Sequence, residues 1–135
     1  MPVTVCFDAS FLMLAAKFHI DVVSETERLL QRQIQLSVPD IVVGELEGLA
    51  RRPGAAGRDA RVALKLILTR KIHRVSSKEQ SNADKALMEA SGQPGIIVAT
   101  ADLDLRRTIR DRGKSVIIFR EKAKLELDGI EASYW

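Results

Sequence analysis

The sequence predicts an α/β fold, a three-layer α/β/α sandwich around a mainly parallel central sheet. Short runs of aliphatic residues alternate along the chain with segments of helical spacing. Apolar residues make up 46% of the chain and aromatic residues only 4%, which suits parallel strands that are buried on both faces and filled by Val, Ile and Leu. The links between segments are short and none shows a hairpin signal. We therefore expect one domain over residues 1–135.

The first half of the chain predicts two strands and three helices. In chain order these are a strand over Val3–Phe7, helices over Phe11–Ala16 and Val22–Gln33, a strand over Gln35–Val38 and a helix over Asp40–Arg51. Pro39 is preorganised for the first turn of the last helix. Val42, Leu46 and Leu49 then recur at the i, i+4, i+7 spacing of a buried stripe.

The second half opens with Arg52–Gly57, a conspicuous cluster of helix breakers that predicts a loop. After it come a helix over Asp59–Thr69, a strand over Ile72–Val75, a polar loop over Ser76–Asn82, a helix over Ala83–Ser91, a strand over Gly95–Ala99, a helix over Leu105–Arg112 and a strand over Ser115–Phe119. Residues Lys122–Leu127 are consistent with a last helical turn or an extended tail.

Two of the predicted strands run into an aspartate. Asp8 directly follows the first strand, and Asp102 comes after the strand over Gly95–Ala99. In an open parallel sheet, ligands bind in the crevice beyond the carboxyl ends of the strands. If the two strands are parallel neighbours, both acids lie at the same edge of the sheet. This edge is therefore the candidate site.

Two further acids lie on helix faces that the spacing predicts to be buried. Glu45 falls in the stripe that contains Leu46, and Asp84 shares a helix face with Leu87. A buried, ionised carboxylate without a partner costs several kcal/mol. Few basic residues stand beside the four acids in the sequence. A divalent cation such as Mg²⁺ is the economical counter-charge, because it prefers oxygen ligands.

Each acid also has a purely structural interpretation. The two aspartates at strand ends could cap the helices that follow them. Asp84 could complement a helix dipole from the first turn, and Glu45 could pair with Arg58 or Arg61. It is much less plausible that all four acids are incidental.

Three more polar residues accompany the strand-end acids. Asp104 is a weaker candidate ligand, because two residues of helix turn it away from Asp102; it would contact an outer metal or simply face solvent. Ser10 and Thr100 each lie two residues from one of these aspartates. Their hydroxyls could orient a carboxylate or a metal-bound water, or make ordinary turn hydrogen bonds.

Basic residues are concentrated in two segments. Residues 51–78 contain nine lysines and arginines against one acid, and the second segment begins at Arg106 and ends at Lys124. Basic segments between isolated acids suit a polyanionic partner held near a metal site. The alternative is that these are solvated helix faces.

Composition also excludes several classes of site. The single cysteine, Cys6, lies in an apolar strand and rules out an internal disulfide or a cysteine-based zinc site. With only two histidines in the chain, a histidine-rich metal site is equally unsupported. No apolar run is long enough to cross a membrane and no signal peptide is evident, so we expect a cytoplasmic protein.

At this point the residues resemble the PIN-domain nucleases. That family has an Asp closing the first strand, a Glu in a helix after a Val-Pro, an Asp in a later helix and a Thr-x-Asp closing the fourth strand. Here the matching positions are Asp8, Glu45, Asp84 and Asp102. Ala101 stands where the family often has Asn. Within the family, the segments over Phe18–Val23, Asp104–Arg110 and Phe119–Leu127 resemble archaeal relatives of the ribosomal RNA processing endonucleases, and VapC toxins are the nearest competitor.

The resemblance implies a metal-dependent endoribonuclease that leaves a 5′-phosphate and a 3′-hydroxyl. Mg²⁺ or Mn²⁺ would be held by the four matching acids, with Ser10, Thr100 and Asp104 in support. The partner is RNA, single-stranded or a structured ribosomal RNA precursor, and a homodimer and a possible antitoxin are further implied. The residues expected to hold the RNA backbone are Arg51, Arg52, Arg58, Arg61, Arg106, Arg107 and Arg110.

Three other classes compete with this interpretation. A PIN protein could keep the acids and bind RNA without cleaving it. A phosphoacceptor receiver domain predicts paired acids after the first strand and a lysine closing the last, but Phe7-Asp8 and Phe119-Arg120 supply neither. Nucleotide-binding folds are disfavoured, because the chain has neither a GxGxxG nor a GxxxxGK[ST] motif.

Overall fold

A computed structural model describes residues 2–121 and 124–129 of the chain. The described strands form one six-stranded sheet in the order β3-β2-β1-β4-β5-β6. Their bounds are β1 (Val3–Phe7), β2 (Ile34–Pro39), β3 (His73–Val75), β4 (Ile96–Ala99), β5 (Val116–Arg120) and β6 (Lys124–Asp128). The first five strands are parallel and β6 is antiparallel to β5. The predicted mainly parallel sheet is confirmed.

Helices cover both faces of this sheet, as the sequence predicts. They are α1 (Ala9–Lys17), α2 (Val22–Leu30), α3 (Asp40–Ala50), α4 (Gly54–Thr69), α5 (Ala83–Ser91) and α6 (Leu103–Asp111). Helices α1, α3 and α4 pack on one another, and α5 packs on α6. Right-handed crossovers require this division, because the chain leaves β1 in one direction through β2 and β3 and in the other through β4 and β5.

Strand β1 is the centre of the sheet. It pairs in parallel with β2, where Val3 lies opposite Ile34, and with β4, where Phe7 lies opposite Ala99. The two strands that run into aspartate are therefore adjacent and parallel. This confirms the arrangement on which the candidate site depends.

The core is aliphatic with a small aromatic cluster. Phe11 stacks on Phe119 with 4.4 Å between ring centroids, and Phe7 lies 5.8 Å from Phe11. Cys6 is buried in β1, and burial raises the pKa of its thiol to about 11. The thiol is therefore neutral at physiological pH, and Cys6 belongs to the core as predicted.

Two helix boundaries differ from the prediction because of capping. Helix α2 ends at Leu30 instead of Gln33, since Gln31 adopts a left-handed conformation with φ 51°. Helix α6 begins at Leu103 instead of Leu105, because the Asp102 side chain accepts hydrogen bonds from the first free backbone N–H groups of the helix.

The predicted loop over Arg52–Gly57 is wrong, since α4 already begins at Gly54. The glycines permit a tight corner between α3 and α4, and they do not break the helix. Gly54 has φ 83°, and a Cβ on Gly57 would lie 1.8 Å from the Arg52 carbonyl oxygen. The Arg61 guanidinium also closes this corner by donating to the Ala50 carbonyl at 2.9 Å.

Replacing Gly57 by alanine is expected to destabilise the protein by about 1–3 kcal/mol, because the new methyl group forces the α3–α4 corner apart. Gly44→Ala in α3 is the matched control. Nothing lies within 4 Å of a Cβ at Gly44, so alanine should stabilise the helix by about 0.5–1 kcal/mol. Thermal and urea unfolding of both variants measure this. Equal stability of the two variants would contradict the close approach at Gly57.

The expected absence of hairpins is also wrong. Strands β5 and β6 form an antiparallel pair in which Arg120 lies opposite Lys124. Glu121, with φ 58°, begins the turn without a glycine or asparagine to signal it. The alternation of Lys, Leu, Glu, Leu and Asp over residues 124–128 is a strand pattern. Lys122 and Ala123 lie outside the described residues. Over residues 124–127 the extended alternative is confirmed and the helical turn is wrong.

In the described part of the chain, no helix is long and apolar enough to cross a membrane.

Candidate active site

Asp8 lies at the carboxyl end of β1 and is almost fully buried, with 5% of its surface exposed. Its backbone N–H donates to the Ala99 carbonyl of β4 at 2.9 Å, so the pairing of the two strands extends to this residue. The side chain does not cap α1, and the structural interpretation of Asp8 as a helix cap is therefore wrong. Its carboxylate is held by hydroxyl groups instead.

Ser10 and Thr100 hold the same oxygen of Asp8. The Ser10 and Thr100 hydroxyls donate to Asp8 Oδ2 at 2.7 and 2.6 Å. Each hydroxyl is in turn fixed by a backbone N–H, from Ala101 to Ser10 at 3.1 Å and from Asp102 to Thr100 at 3.1 Å. Each hydroxyl has one proton, and both protons are donated to Asp8. The two hydroxyl oxygens, 3.2 Å apart, are therefore in contact without a hydrogen bond between them.

This arrangement leaves the other Asp8 oxygen available. Oδ1 has no hydrogen-bond partner among the described residues, and no buried side-chain oxygen there lacks one, so Oδ1 is reached by solvent. The two hydroxyls thus fix the carboxylate in one orientation. They direct one oxygen into the protein and the other toward the edge of the sheet.

Asp102 caps α6, which confirms its structural interpretation, and its role as a metal ligand stays a prediction. Its Oδ1 caps α6 by accepting from the backbone N–H of Asp104 at 2.9 Å and of Leu105 at 3.2 Å. The side chain is half-buried. The cap fixes one oxygen, and Oδ2 remains for a ligand. Asp104 is exposed in the first turn of α6, as expected.

Glu45 and Asp84 are exposed, so their predicted burial is wrong. Glu45 lies on α3 and Asp84 on α5. These two helices belong to opposite layers and contact each other. Partial burial raises the pKa of Glu45, and the charges of Asp8 and Asp84 raise it further. Partial burial also raises the pKa of Asp84, followed by the charges of Asp102, Asp8 and Asp104. The negative charges of the four acids therefore repel one another.

Replacing Glu45 by glutamine is expected to stabilise the metal-free protein at neutral pH. Because the pKa of Glu45 is higher in the folded than in the unfolded chain, its stabilising contribution is present below the ordinary value of 4.5 and is lost as pH rises through the folded value. The gain should be at most about 0.5 kcal/mol, since exposed charges are screened. Thermal unfolding in chelator measures it, with exposed Glu47→Gln as control. A less stable Glu45→Gln variant would contradict the repulsion.

The carboxylate oxygens of these acids are suitable ligands for a hard divalent cation. Among the described residues, the charges that shift the pKa values of Glu45 and Asp84 are all negative. Carboxylate oxygens are the ligands that Mg²⁺ prefers. Among the residues that the structure describes, no three acids, histidines or cysteines are close enough to hold one ion as they stand. Glu45 and Asp84 are exposed, whereas Asp8 is buried.

The predicted RNA-binding arginines divide into two kinds. Some have structural partners: Arg61 closes the α3–α4 corner, and Asp128 pairs with Arg106 at 2.8 Å and with Arg110 at 3.4 Å. The others are exposed: Arg51, Arg52, Arg58 and Arg107. Sequence reasoning missed Asp128, although the strand pattern over residues 124–128 was the signal that could have placed it beside α6.

One cavity lies away from the acids. It has a volume of about 870 Å³ and runs between β2, β3 and one face of α5, and none of the four candidate acids lines it. A smaller cavity of about 120 Å³ includes Thr100 and Asp102 in its lining. The smaller one is therefore the cavity associated with the candidate site.

Comparison with known proteins identifies the family. Residues 5–122 match the family model described as a PIN like domain. The chain belongs to the PIN-domain family. This assignment agrees with the resemblance stated from the four acids, and PIN domains are nucleases.

The similarity of this PIN domain to known proteins extends over nearly the whole chain. Ribonuclease VapC4 from Methanocaldococcus jannaschii is 26% identical over 125 residues, which cover 91% of this chain and 95% of the relative. Among solved structures, the PIN domain endonuclease Utp24 superposes with a TM-score of 0.81 at 22% identity and covers 96% of this chain and 94% of that one. A domain of a functionally unknown protein from M. jannaschii gives 0.61 at 15% identity and covers 87% and 91%. The structural likenesses support the fold.

Proposed function

We propose that this PIN domain, spanning residues 1–135, is a cytoplasmic endoribonuclease that depends on a divalent metal ion and hydrolyses RNA phosphodiester bonds. Asp8, Glu45, Asp84 and Asp102 are the proposed ligands of Mg²⁺ or Mn²⁺. The observation that supports this most directly is the mutual repulsion of acids from α3, α5 and two strand ends, which no basic side chain offsets in the part of the chain that the structure describes. Such repulsion is tolerated where a cation completes the site.

The bound cation would lower the pKa of an attacking water and neutralise the scissile phosphate and the leaving oxygen. The chain's own residues prepare for this. Ser10 and Thr100 fix the orientation of Asp8 through Oδ2. Asp102 is fixed by its role as the α6 cap. Glu45 and Asp84 are the exposed members of the proposed ligand set. Partial burial raises their pKa values most, and the charges of the neighbouring acids raise them further.

Arginines would hold the RNA backbone on either side of the cut. Those without structural partners among the described residues, such as Arg58 and Arg107, contribute salt-dependent and mostly sequence-independent affinity. Arg106 and Arg110 share Asp128, so part of their charge is already compensated. The salt dependence of binding should therefore be weaker than the number of arginines suggests.

Metal removal tests the proposal. We expect chelator-treated protein to leave a labelled single-stranded RNA intact, and added Mn²⁺ or Mg²⁺ to restore internal cleavage. The resemblance implies 5′-phosphate and 3′-hydroxyl ends, which a 5′-phosphate-dependent exonuclease and a 3′-end ligation detect. Cleavage in chelator that leaves cyclic phosphates would overturn the proposal. Calorimetric metal binding without any cleavage would favour a non-catalytic PIN protein.

Ribosomal RNA processing is the proposed setting, because three segments of the chain resemble archaeal relatives of the processing endonucleases. Cleavage of a ribosomal RNA precursor at a defined position, compared with an unrelated structured RNA, tests it. Equal cleavage of both would contradict this setting. A homodimer is also proposed, and light scattering of the purified protein tests that assembly.

A toxin of a toxin–antitoxin pair is the second candidate, favoured by the match to Ribonuclease VapC4. It predicts a small gene for a DNA-binding antitoxin beside this one, and growth arrest on expression that coexpression of that gene relieves. Absence of such a neighbour, together with unaffected growth, would favour the processing enzyme.

A further inference from the structure

A small cavity opens beside the acids between α1, the β4–α6 turn and the end of β5. Its volume is about 120 Å³. Leu14, Leu103 and Phe119 give it apolar walls, and Asp102 and Arg106 lie at its polar side. It is thus an apolar recess next to a candidate metal ligand. Asp102 belongs both to the proposed site of hydrolysis and to this recess.

Leu103 and Arg106 line both this recess and a second cavity of about 360 Å³. Arg107 and Arg110 also line the second cavity, together with the acids Asp111 and Asp128, and Asp128 pairs with Arg106 and Arg110. Leu103 is the first residue of α6 and is 63% exposed. A single exposed leucine is ordinary on a protein surface, and Leu103 is singled out by its place in the lining of both cavities. Here one leucine stands between an apolar recess and a group of arginines, of which Arg107 has no acidic partner among the described residues.

An RNA strand has the chemistry to occupy both cavities at once. Its backbone is anionic and its bases are flat and largely apolar on their faces, which stack on protein side chains. With the scissile phosphate at the acids, the neighbouring base meets the recess beside Asp102. The following phosphate meets the arginines around the second cavity. The apolar recess would thus contact a base and the arginines a phosphate, in the order in which these groups occur along an RNA strand.

We propose that the recess formed by Leu14, Leu103 and Phe119 seats a pyrimidine base of the nucleotide next to the scissile phosphate and thereby sets a sequence preference. The proposal rests on the proposed ribonuclease function. The volume is about 120 Å³, and an apolar cavity of about 150 Å³ takes up one benzene ring, so the recess suits one six-membered ring better than the fused rings of a purine.

Arg106 supplies the polar contact for this base. Its Nε donates to Asp128 at 2.8 Å, which fixes the plane of the guanidinium. A guanidinium has five N–H donors, so this pair leaves donors for the carbonyl oxygens of uracil or cytosine. Phe119 stacks on Phe11 in the core, so the floor of the recess is rigid. A rigid recess discriminates by size, and we expect about a tenfold preference for pyrimidine over purine.

Cleavage of an RNA pool randomised around the cut tests the proposal. Sequencing of the products from wild-type protein should show the pyrimidine preference on one side of the cut. Ala101→Leu fills the recess, since Ala101 lines it, and should remove the preference. Leu103→Ser should weaken it to about twofold or less. Leu68→Ser is the control: Leu68 is 81% exposed on α4 and its loss should leave the preference unchanged.

A binding measurement separates failure of the recess from failure of the nuclease. Fluorescence anisotropy with the Asp8→Asn variant compares a labelled uridylate hexamer with an adenylate hexamer, without cleavage. Uridylate should bind about tenfold more tightly, and adding Leu103→Ser should reduce the difference. Metal-dependent cleavage with no base preference, or equal binding of the two hexamers, would overturn the recess and leave the nuclease standing. Absence of cleavage by wild-type protein would overturn the nuclease, and the hexamers would still decide the recess.

Discussion

Replacing Asp8 by asparagine is expected to reduce manganese-dependent cleavage of single-stranded RNA by roughly 10²–10³-fold or more. The amide oxygen of asparagine can still accept from the Ser10 and Thr100 hydroxyls, which donate to Asp8 Oδ2 at 2.7 and 2.6 Å. The amide nitrogen then replaces the oxygen that reaches solvent. A neutral N–H donor repels a cation, so the site fails while the fold remains.

The measurement is a single-turnover rate on a labelled RNA, with thermal unfolding as the check on folding. Asp59→Asn, which removes a carboxylate from α4, is the matched control and should cleave like wild type. The melting temperature of Asp8→Asn should stay within a few degrees of wild type. Equal cleavage by Asp8→Asn and wild type would mean that the activity comes from a contaminating ribonuclease.

Replacing Thr100 by valine is expected to lower cleavage by about 10–100-fold, the usual effect of losing a group that orients a metal ligand. Valine keeps the shape of threonine but cannot donate to Asp8 or accept from the backbone N–H of Asp102. Because Thr100 is 1% exposed, these groups lose a buried partner. The free energy of unfolding should also fall by about 1–3 kcal/mol.

Thr100→Ser keeps the hydroxyl and is the control for this variant. It should restore most of the activity, whereas a purely steric role for Thr100 predicts that serine does no better than valine. A second readout is the Mn²⁺ concentration for half-maximal cleavage, which should rise in Thr100→Val and return toward wild type in Thr100→Ser. An unchanged metal requirement in Thr100→Val would contradict the orienting role.

Much of the fold follows from local patterns in the sequence. The runs that end at Phe7 and Ala99 predict parallel strands that end at acids, and the structure places those strands side by side. The errors arise where backbone conformation decides. From sequence alone, Gly57 is consistent with a loop. The structure shows instead that glycine is required there by the close approach of the Arg52 carbonyl. Glu121 enters a left-handed turn that glycine normally signals, so the final hairpin was hidden.

The candidate site could be predicted in its membership but not in its burial. Spacing along α3 and α5 placed Glu45 and Asp84 on buried faces, yet both are exposed. The buried face of α3 is formed by Val42, Val43 and Leu46, and that of α5 by Ala86, Leu87 and Ser91. The way Ser10 and Thr100 converge on Asp8 Oδ2 depends on residues 90 positions apart. This convergence cannot be predicted from local sequence patterns, because it depends on how the fold brings distant residues together.

The pairing of β1 also has a consequence for synthesis. Strand β1 is made first, but its neighbour β4 lies far along the chain, since Thr4 pairs with Ile96. At about 5–20 residues per second, β4 leaves the ribosome's active site about 5–20 s after β1. Thr100 arrives with β4, so until then Asp8 lacks one of the two hydroxyls that hold it. The nascent chain is therefore made beside ribosomal RNA in a state that cannot yet orient its central carboxylate.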